Sequence, residues 1–329
     1  MSKVYIRGLS IYLPDNFETS QDISRRSGLP VDVVEEKLGI KRKPVESHLS
    51  LSEMSLKSIQ DVLQRTGLEP KTVSFLICAG SDFKDRYIWT MAPKIAHSVG
   101  LTNAVAFDLS AQCAGSLVAL DVAKSLVQSG ESKRGIISIS TKQSYIVDYN
   151  DKASTFMYDF SDSSAAIVLD SSQGTFEVLG SSFITDGSFS DIVYSPFGES
   201  FMSDRSQWSF KLMVNDTWGW RERMGQSSKR NFIHVIEDSL RKSGLRSDDI
   251  SYLAFLHTKK SFHSEILAEL GLDARRSIYL DNYGHSQGVD PFLSLSLALE
   301  AQTVNSGDVV VLASAGTGWT WGASVLKAV

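Results

Sequence analysis

Ile59-Gln-Asp-Val-Leu-Gln-Arg-Thr-Gly-Leu68 returns 177 residues later as Ile236-Glu-Asp-Ser-Leu-Arg-Lys-Ser-Gly-Leu245. Ile, Asp, Leu, Gly and Leu coincide, and Gln/Glu, Gln/Arg, Arg/Lys and Thr/Ser are similar pairs. The register continues, because Val73-Ser-Phe-Leu-Ile-Cys-Ala-Gly80 falls on Ile250-Ser-Tyr-Leu-Ala-Phe-Leu-His257. Each copy reads as an amphipathic helix stopped by glycine, a short linker and a buried strand. The same offset carries Gly130 onto Gly307 and Cys113 onto Asp290, which precedes Pro291 and a second helix over 292–304. Asp followed by Pro reads as a helix start, an N-cap and then a φ-locked first residue. Helix–glycine–strand patterns recur in α/β proteins, but two blocks in one register point to two related halves with helices on the faces of their sheets. We place the halves at residues 1–172 and 173–329 and expect a site at their junction.

The 329 residues are 42% hydrophobic and 22% charged, a globular mix. A net charge of −5 gives no sign of nucleic acid as a general partner. No run of eighteen apolar residues predicts a membrane span. The start, Met1 to Arg7, reads as a strand and not as a signal peptide. Two cysteines outside any Cys/His cluster suit a cytoplasmic protein with no disulfide framework and no metal. Cys78, in Phe75-Leu-Ile-Cys-Ala79, reads as a buried strand residue.

Cys113 stands where a strand-like run, Ala104 to Leu109, gives way to a helical stretch, Ala114 to Gln128. A helix N-terminus favours negative charge on a sulfur, and Ala111, Ala114 and Gly115 leave room for a substrate. On this alone Cys113 is either a small buried hydrophobe or a nucleophile. Of six histidines, His48 lies in a polar loop, and His97 and His234 fall in helical patterns. His257 follows an apolar strand, and His285 lies in a glycine-bounded turn, Asn282-Tyr-Gly-His-Ser-Gln-Gly288. Each could be structural, but both stand beside the inferred junction. Near the end, Val309 to Leu326 reads as two strands around a turn with glycines at 316, 318 and 322. No Lys-Ser/Thr and no helix follow, so it is a weak phosphate loop.

Five segments, in order, carry a resemblance: Leu38-Gly-Ile-Lys-Arg42, Asp108-Leu-Ser-Ala-Gln-Cys-Ala-Gly115, Phe160 to Leu169, Asp186-Gly-Ser188 and Trp319-Thr-Trp-Gly322. Over nearly its whole length the chain resembles the thiolase superfamily, and within it β-ketoacyl-ACP synthase III. The resemblance implies an α/β, thiolase-like fold of two pseudo-symmetric halves in five layers, α-β-α-β-α. It implies an acyltransferase in which Cys113 takes an acyl group from a thioester. His257 would then hold the second thioester's carbonyl, and the amides of Cys113 and Thr317 would form the oxyanion hole. Decarboxylative Claisen condensation with a malonyl-ACP-type extender would give a β-ketoacyl product, as in fatty-acid or polyketide synthesis.

The chain also departs from the family. His285 stands where the family has Asn, giving a Cys-His-His set. The Pro-His-Gln-Ala-Asn motif becomes Leu256-His-Thr-Lys-Lys260, and Val33 replaces a CoA-stacking Trp. These departures weaken CoA as donor and favour acyl carrier protein, with acyl-CoA still possible as a thioester substrate and no resident cofactor. A basic rim of Arg221, Arg223, Lys229, Arg230, Lys259 and Lys260 would steer an acidic carrier, and Lys37 joins Lys229, Arg230, Lys259 and Lys260 as binding residues for its arm. Aromatic residues at 189, 194, 197, 201, 208, 210, 218 and 220 could cover an acyl pocket, or simply pack as a loop. A helix-rich segment from Asp82 to Val99 would reach a homodimer interface. The alternatives are acyl transfer to an alcohol or amine, and a non-catalytic partner subunit.

Overall fold

A computed structural model describes residues 2–80, 83–215 and 219–329. Asp82, the first residue of the expected interface segment, and Trp218, one of the expected pocket aromatics, lie outside these. The first half contains β1 (Tyr5–Tyr12), α1 (Leu51–Thr66), β2 (Phe75–Gly80), α2 (Ala92–Val99), β3 (Val105–Leu109), α3 (Gly115–Gln128), β4 (Arg134–Lys142) and β5 (Asp162–Asp170). The second contains β6 (Phe176–Thr185), α4 (Trp220–Lys242), β7 (Tyr252–Phe255), α5 (Lys260–Glu269), α6 (Asp290–Glu300), β8 (Val309–Gly316) and β9 (Thr320–Ala328).

The nine strands follow one hydrogen-bonded order, β7-β8-β9-β6-β1-β5-β4-β2-β3. The halves join where β1 pairs with β6 through Tyr5–Glu177 and Ile6–Phe176. On either side of that seam the pattern repeats, with β2, β4, β5 and β1 answered by β7, β8, β9 and β6. Among the described residues no strand answers β3, since residues 282–286, 177 positions on, are turn with one isolated bridge.

Helix α3 packs on β2 and β4 on one side and on β8 and β9 on the other, so it lies between the sheets. Its counterpart α6 packs on β7, β8 and β1. Helices α1 and α4 cover the outer faces, which completes the five layers. Strand alternation divides the core accordingly. Leu76 and Cys78 face α1, whereas Ile77 and Ala79 face the central helices. Val310 and Leu312 face the centre, whereas Val311 and Ala313 join the cluster under α4. Strands buried on both faces explain the nearly unbroken apolar runs in the sequence.

The repeated helices have chemical stops and starts. Ser50 and Glu53 form a capping box at the start of α1, and Gly67 ends it in a left-handed conformation. Two expectations need correcting. The segment before α2 is not helical, because the helix begins only at Ala92, with Pro93 in its first turn. Asp290 is not an N-cap but the first residue of α6, and its carboxylate turns away from the helix N-terminus.

Candidate active site

Strand β3 ends at Leu109, and the chain enters α3 through a 3-10 turn, Gln112–Ala114. Gln112 takes a left-handed φ of 50°, a conformation that costs a non-glycine residue energy. The bend holds Cys113 at the end of the cavity, 6% exposed. Its backing is tight. A Cβ on Gly316 would lie 2.3 Å from the Ala111 carbonyl oxygen and 3.0 Å from the Cys113 nitrogen. The glycine-rich turn is thus a close-packed support for the cysteine and not a phosphate loop. Ser314 Oγ donates to the Cys113 carbonyl at 2.7 Å.

His285 arrives from the other half. Its N–H donates to the Asp159 carbonyl at 2.9 Å, and its carbonyl accepts from Ser161 N–H at 3.0 Å, so the approach to β5 holds it by the backbone. Its Nε2 lies 3.3 Å from Cys113 Sγ, and its Nδ1 lies 2.5 Å from Asp290 Oδ2. Asp290 also accepts from the Ser286 and His257 amides, at 2.7 and 2.8 Å. Burial pulls the His285 imidazole down, but the Asp290 carboxylate and the Cys113 sulfur outweigh it and hold the ring well above its usual value. The result is a sulfur, an imidazole and a carboxylate joined through the two ring nitrogens of His285, an arrangement chemically suited to a nucleophile with an oriented partner.

His257 follows β7 and is fixed through its backbone amide on Asp290. Neither ring nitrogen has a well-formed hydrogen bond among the described residues, although the Leu38 backbone lies against the ring. Burial, reinforced by His285 and His263, lowers it to about 3, so it is neutral. Its Nε2 faces Asp159 Oδ2 at 3.7 Å, which with a neutral ring is not an ion pair. Burial raises Asp159 to about 7, against the charges of His285 and Lys43.

Cys113, His257, His285, Thr317 and Lys259 all line one cavity of about 390 Å³, together with Asp159. Most of the other basic residues lie elsewhere. Lys229 and Arg230 line a groove between α4 and α5, where Lys229 pairs with Glu269 at 3.0 Å. Lys37 and Lys260 are exposed, outside the cavity wall. Arg221 does line the cavity and donates to the Ala153 carbonyl at 3.0 Å. Among the described residues of that aromatic set, only Trp220, at the start of α4, lines the cavity. Phe197, Trp208 and Phe210 instead cluster with one another and with Phe83 and Tyr87. His48, His97 and His234 are exposed, and His263 is buried against Ser277 Oγ at 2.9 Å.

Two family models match the chain. Residues 107–187 match 3-oxoacyl-[acyl-carrier-protein (ACP)] synthase III, and residues 240–328 match its C-terminal part. Together they span just over half of the sequence and take in every residue of the Cys113–His285–Asp290 line. The chain belongs to the 3-oxoacyl-ACP synthase III family, within the thiolase superfamily. It is 26% identical to the β-ketoacyl-[acyl-carrier-protein] synthase III of Prochlorococcus marinus over 337 residues, covering 98% of this chain and 96% of that one. It is also 26% identical to the same-named protein of Rhodospirillum centenum over 332 residues, covering 98% of each. The crystal structure of 3-oxoacyl-[acyl-carrier-protein] synthase III from Aquifex aeolicus matches with a TM-score of 0.86 and 21% identity, covering 98% of this chain and 99% of that one.

Three buried groups of this family member went unread in the sequence as parts of the site. Asp290 looked like a helix cap, although an acid five residues after His285 was a usable signal. Asp159 is a lone charge between Tyr158 and Phe160, just ahead of an apolar strand. Lys43, fully buried, donates to the Tyr158 and Phe160 carbonyls at 2.7 Å each and pairs with Glu18 at 3.3 Å. It thereby clamps the backbone on both sides of Asp159.

Proposed function

We propose that the protein is an acyltransferase that loads an acyl group onto Cys113 and condenses it with a malonyl-ACP-type extender to give a β-ketoacyl thioester. The observation that carries this reading is the 3.3 Å approach of the Cys113 sulfur to His285 Nε2 in the cavity that His257 also lines. The Cys113 sulfur attacks the donor thioester, and the departing thiol takes its proton from His285. The Cys113 and Thr317 amides hold the oxyanion, each donor contributing roughly 10²–10³ in rate. The extender then loses carbon dioxide. His257, neutral and able to donate, stabilises the enolate oxygen, and the enolate carbon displaces the Cys113 sulfur.

No resident cofactor or metal enters these steps. An acidic carrier protein is the favoured partner, with Arg221 and Lys259 on the cavity wall to meet its phosphate, and acyl-CoA is the second donor class. The exposed Tyr87, Ile88 and Val105 fit contact with a second copy of the chain in a homodimer. Among the described residues no helix is long and apolar enough to cross a membrane, in keeping with work in the cytoplasm. The test is intact-protein mass after incubation with acyl-ACP or acyl-CoA, followed by malonyl-ACP. An acyl adduct on Cys113, then carbon dioxide release and a β-ketoacyl product, is the expected result. No adduct with either donor class would refute the reading.

A further inference from the structure

Asp159 has no part in the reaction just described. Decarboxylation leaves an enolate without any proton being removed from the second substrate. The proton that the departing thiol takes in acylation comes from His285. Yet Asp159 is an acid 8% exposed on the cavity wall. Its Oδ1 has no hydrogen-bond partner among the described residues, and its Oδ2 faces His257 Nε2 at 3.7 Å. Its backbone is held on all sides. Lys43 Nζ grips the carbonyls of Tyr158 and Phe160, and the Asp159 carbonyl accepts from His285 N–H. A buried unpaired carboxyl oxygen costs energy unless something else meets it.

Position says what that would be. A thioester carbonyl bonded to His257 Nε2 has its α-carbon one bond further on, within the space that Asp159 borders. With a malonyl thioester, that carbon bears a carboxylate that an ionised Asp159 repels. With a plain acyl thioester it bears hydrogen, and an unpaired carboxylate is a base for it.

We infer that this site also carries out non-decarboxylative Claisen condensation, taking as second substrate an acyl thioester without an α-carboxylate, with Asp159 as the base that removes the α-proton. The inference rests on the acyl-Cys113 intermediate proposed above and enlarges the class of second substrate. Asp159 takes the α-proton, and the C–H electron pair becomes the enolate whose oxygen His257 holds. The enolate carbon bonds to the acyl carbon, the C–S bond to Cys113 breaks, and the sulfur keeps that electron pair. The Asp159 proton then returns to His285, which lost one in acylation, so the site is reset for the next turnover. Two acyl thioesters give one β-ketoacyl thioester and one free thiol, with no oxidant, reductant or further reactant. An Asp159 raised to about 7 populates both forms near neutrality, the neutral one tolerating an extender carboxylate and the ionised one acting as base.

The experiment supplies hexanoyl-CoA alone, in D2O, with no malonyl thioester. It follows acyl-Cys113 by intact mass, deuterium at the α-carbon of recovered hexanoyl-CoA, and the β-ketoacyl product. The expected result is adduct, α-deuterium and product from the wild-type protein. Asp159→Asn should cut exchange and condensation at least ~100-fold. An adduct with neither exchange nor product, or an Asp159→Asn protein as fast as wild type in both, overturns the inference and leaves the acyl-Cys113 reading standing. Absence of any adduct, with hexanoyl-CoA and then with hexanoyl-ACP in its place, overturns both together, so the two failures are told apart. The wild-type exchange measurement does not depend on how the variant folds.

Discussion

Gln112 and Gln287 occupy equivalent corners of the two halves. Each takes a left-handed φ, 50° and 52°, three residues before its central helix begins at Gly115 or Asp290. They lie 175 residues apart, not the 177 that aligns α1 and β2 with α4 and β7, so Cys113 answers Gly288 and not Asp290. At the first corner the residue after the bend carries a sulfur into the cavity. At the second it is a glycine packed on the first corner, where a Cβ would lie 2.7 Å from Ser116 Oγ and 3.2 Å from the Cys113 carbonyl oxygen. The second corner contributes chemistry from its flanks instead, His285 before it and Asp290 after it. One backbone device, used twice, thus presents a thiol from one half and an imidazole with its carboxylate from the other. The two meet only because the corners pack face to face.

The strongest way to break this comparison is to remove the nucleophile. Cys113→Ala should abolish the acyl adduct in intact mass while leaving the melting temperature nearly unchanged, since one small atom is lost. An adduct that survives would put the nucleophile elsewhere. Next in size is Asp290→Asn, which removes the charge behind His285. Acylation should slow roughly 10²–10³-fold in rapid-quench mass measurements. Because Asp290 raises the His285 imidazole, acylation should also fail at a lower pH in the variant as pH rises and His285 loses its proton. An alkaline limb that stays in place would mean that Asp290 only braces the backbone.

The paired glycines sharpen the comparison. Gly316→Ala forces a Cβ onto backbone atoms, whereas Gly288→Ala meets mainly the Ser116 side chain. The first should cost about 1–3 kcal/mol in denaturant unfolding and slow acylation, and the second should cost less. Equal costs would show that neither corner is closely supported by the other half.

The last expected effect lies in the outer layers and appears only as pH falls. His97 on α2 is exposed, whereas His263 on the equivalent α5 is buried and lowered by burial to about 4. Between about pH 6.5 and 4 the unfolded chain binds a proton at His263 that the folded chain refuses. That group's contribution to stability therefore falls as pH falls through this window. Relative to His263→Gln, the wild type should lose up to roughly 3 kcal/mol from pH 7 to pH 4 in urea unfolding.

Much of the fold was legible because the repeat is written locally. Capped helices, glycine stops and apolar strands recur in register, and local chemistry fixes them before any tertiary contact forms. Cys113 was legible for the same reason, as a thiol between strand and helix with small neighbours. His257 and His285 could be suspected from their places next to strand and turn. The basic rim was legible as charge but not as position, and only Arg221 and Lys259 of that set border the cavity.

The amino-acid order by itself determined the two halves, the strand-to-helix corners and the residue types available at each. Only the packed structure decided what those residues do to one another. Asp290 reads as a cap when its neighbours in the chain are the only partners in view, and it becomes His285's counter-charge when α6 lies against α3. Asp159 and Lys43 carry no local mark of a role in the sequence, and only the packed structure buries them, Asp159 on the cavity wall and Lys43 against the backbone on both sides of it. Hydrogen bonds, charge pairing and desolvation depend on distance in space, and Cys113 meets His285, and Asp159 meets His257, only across the interface between the two halves.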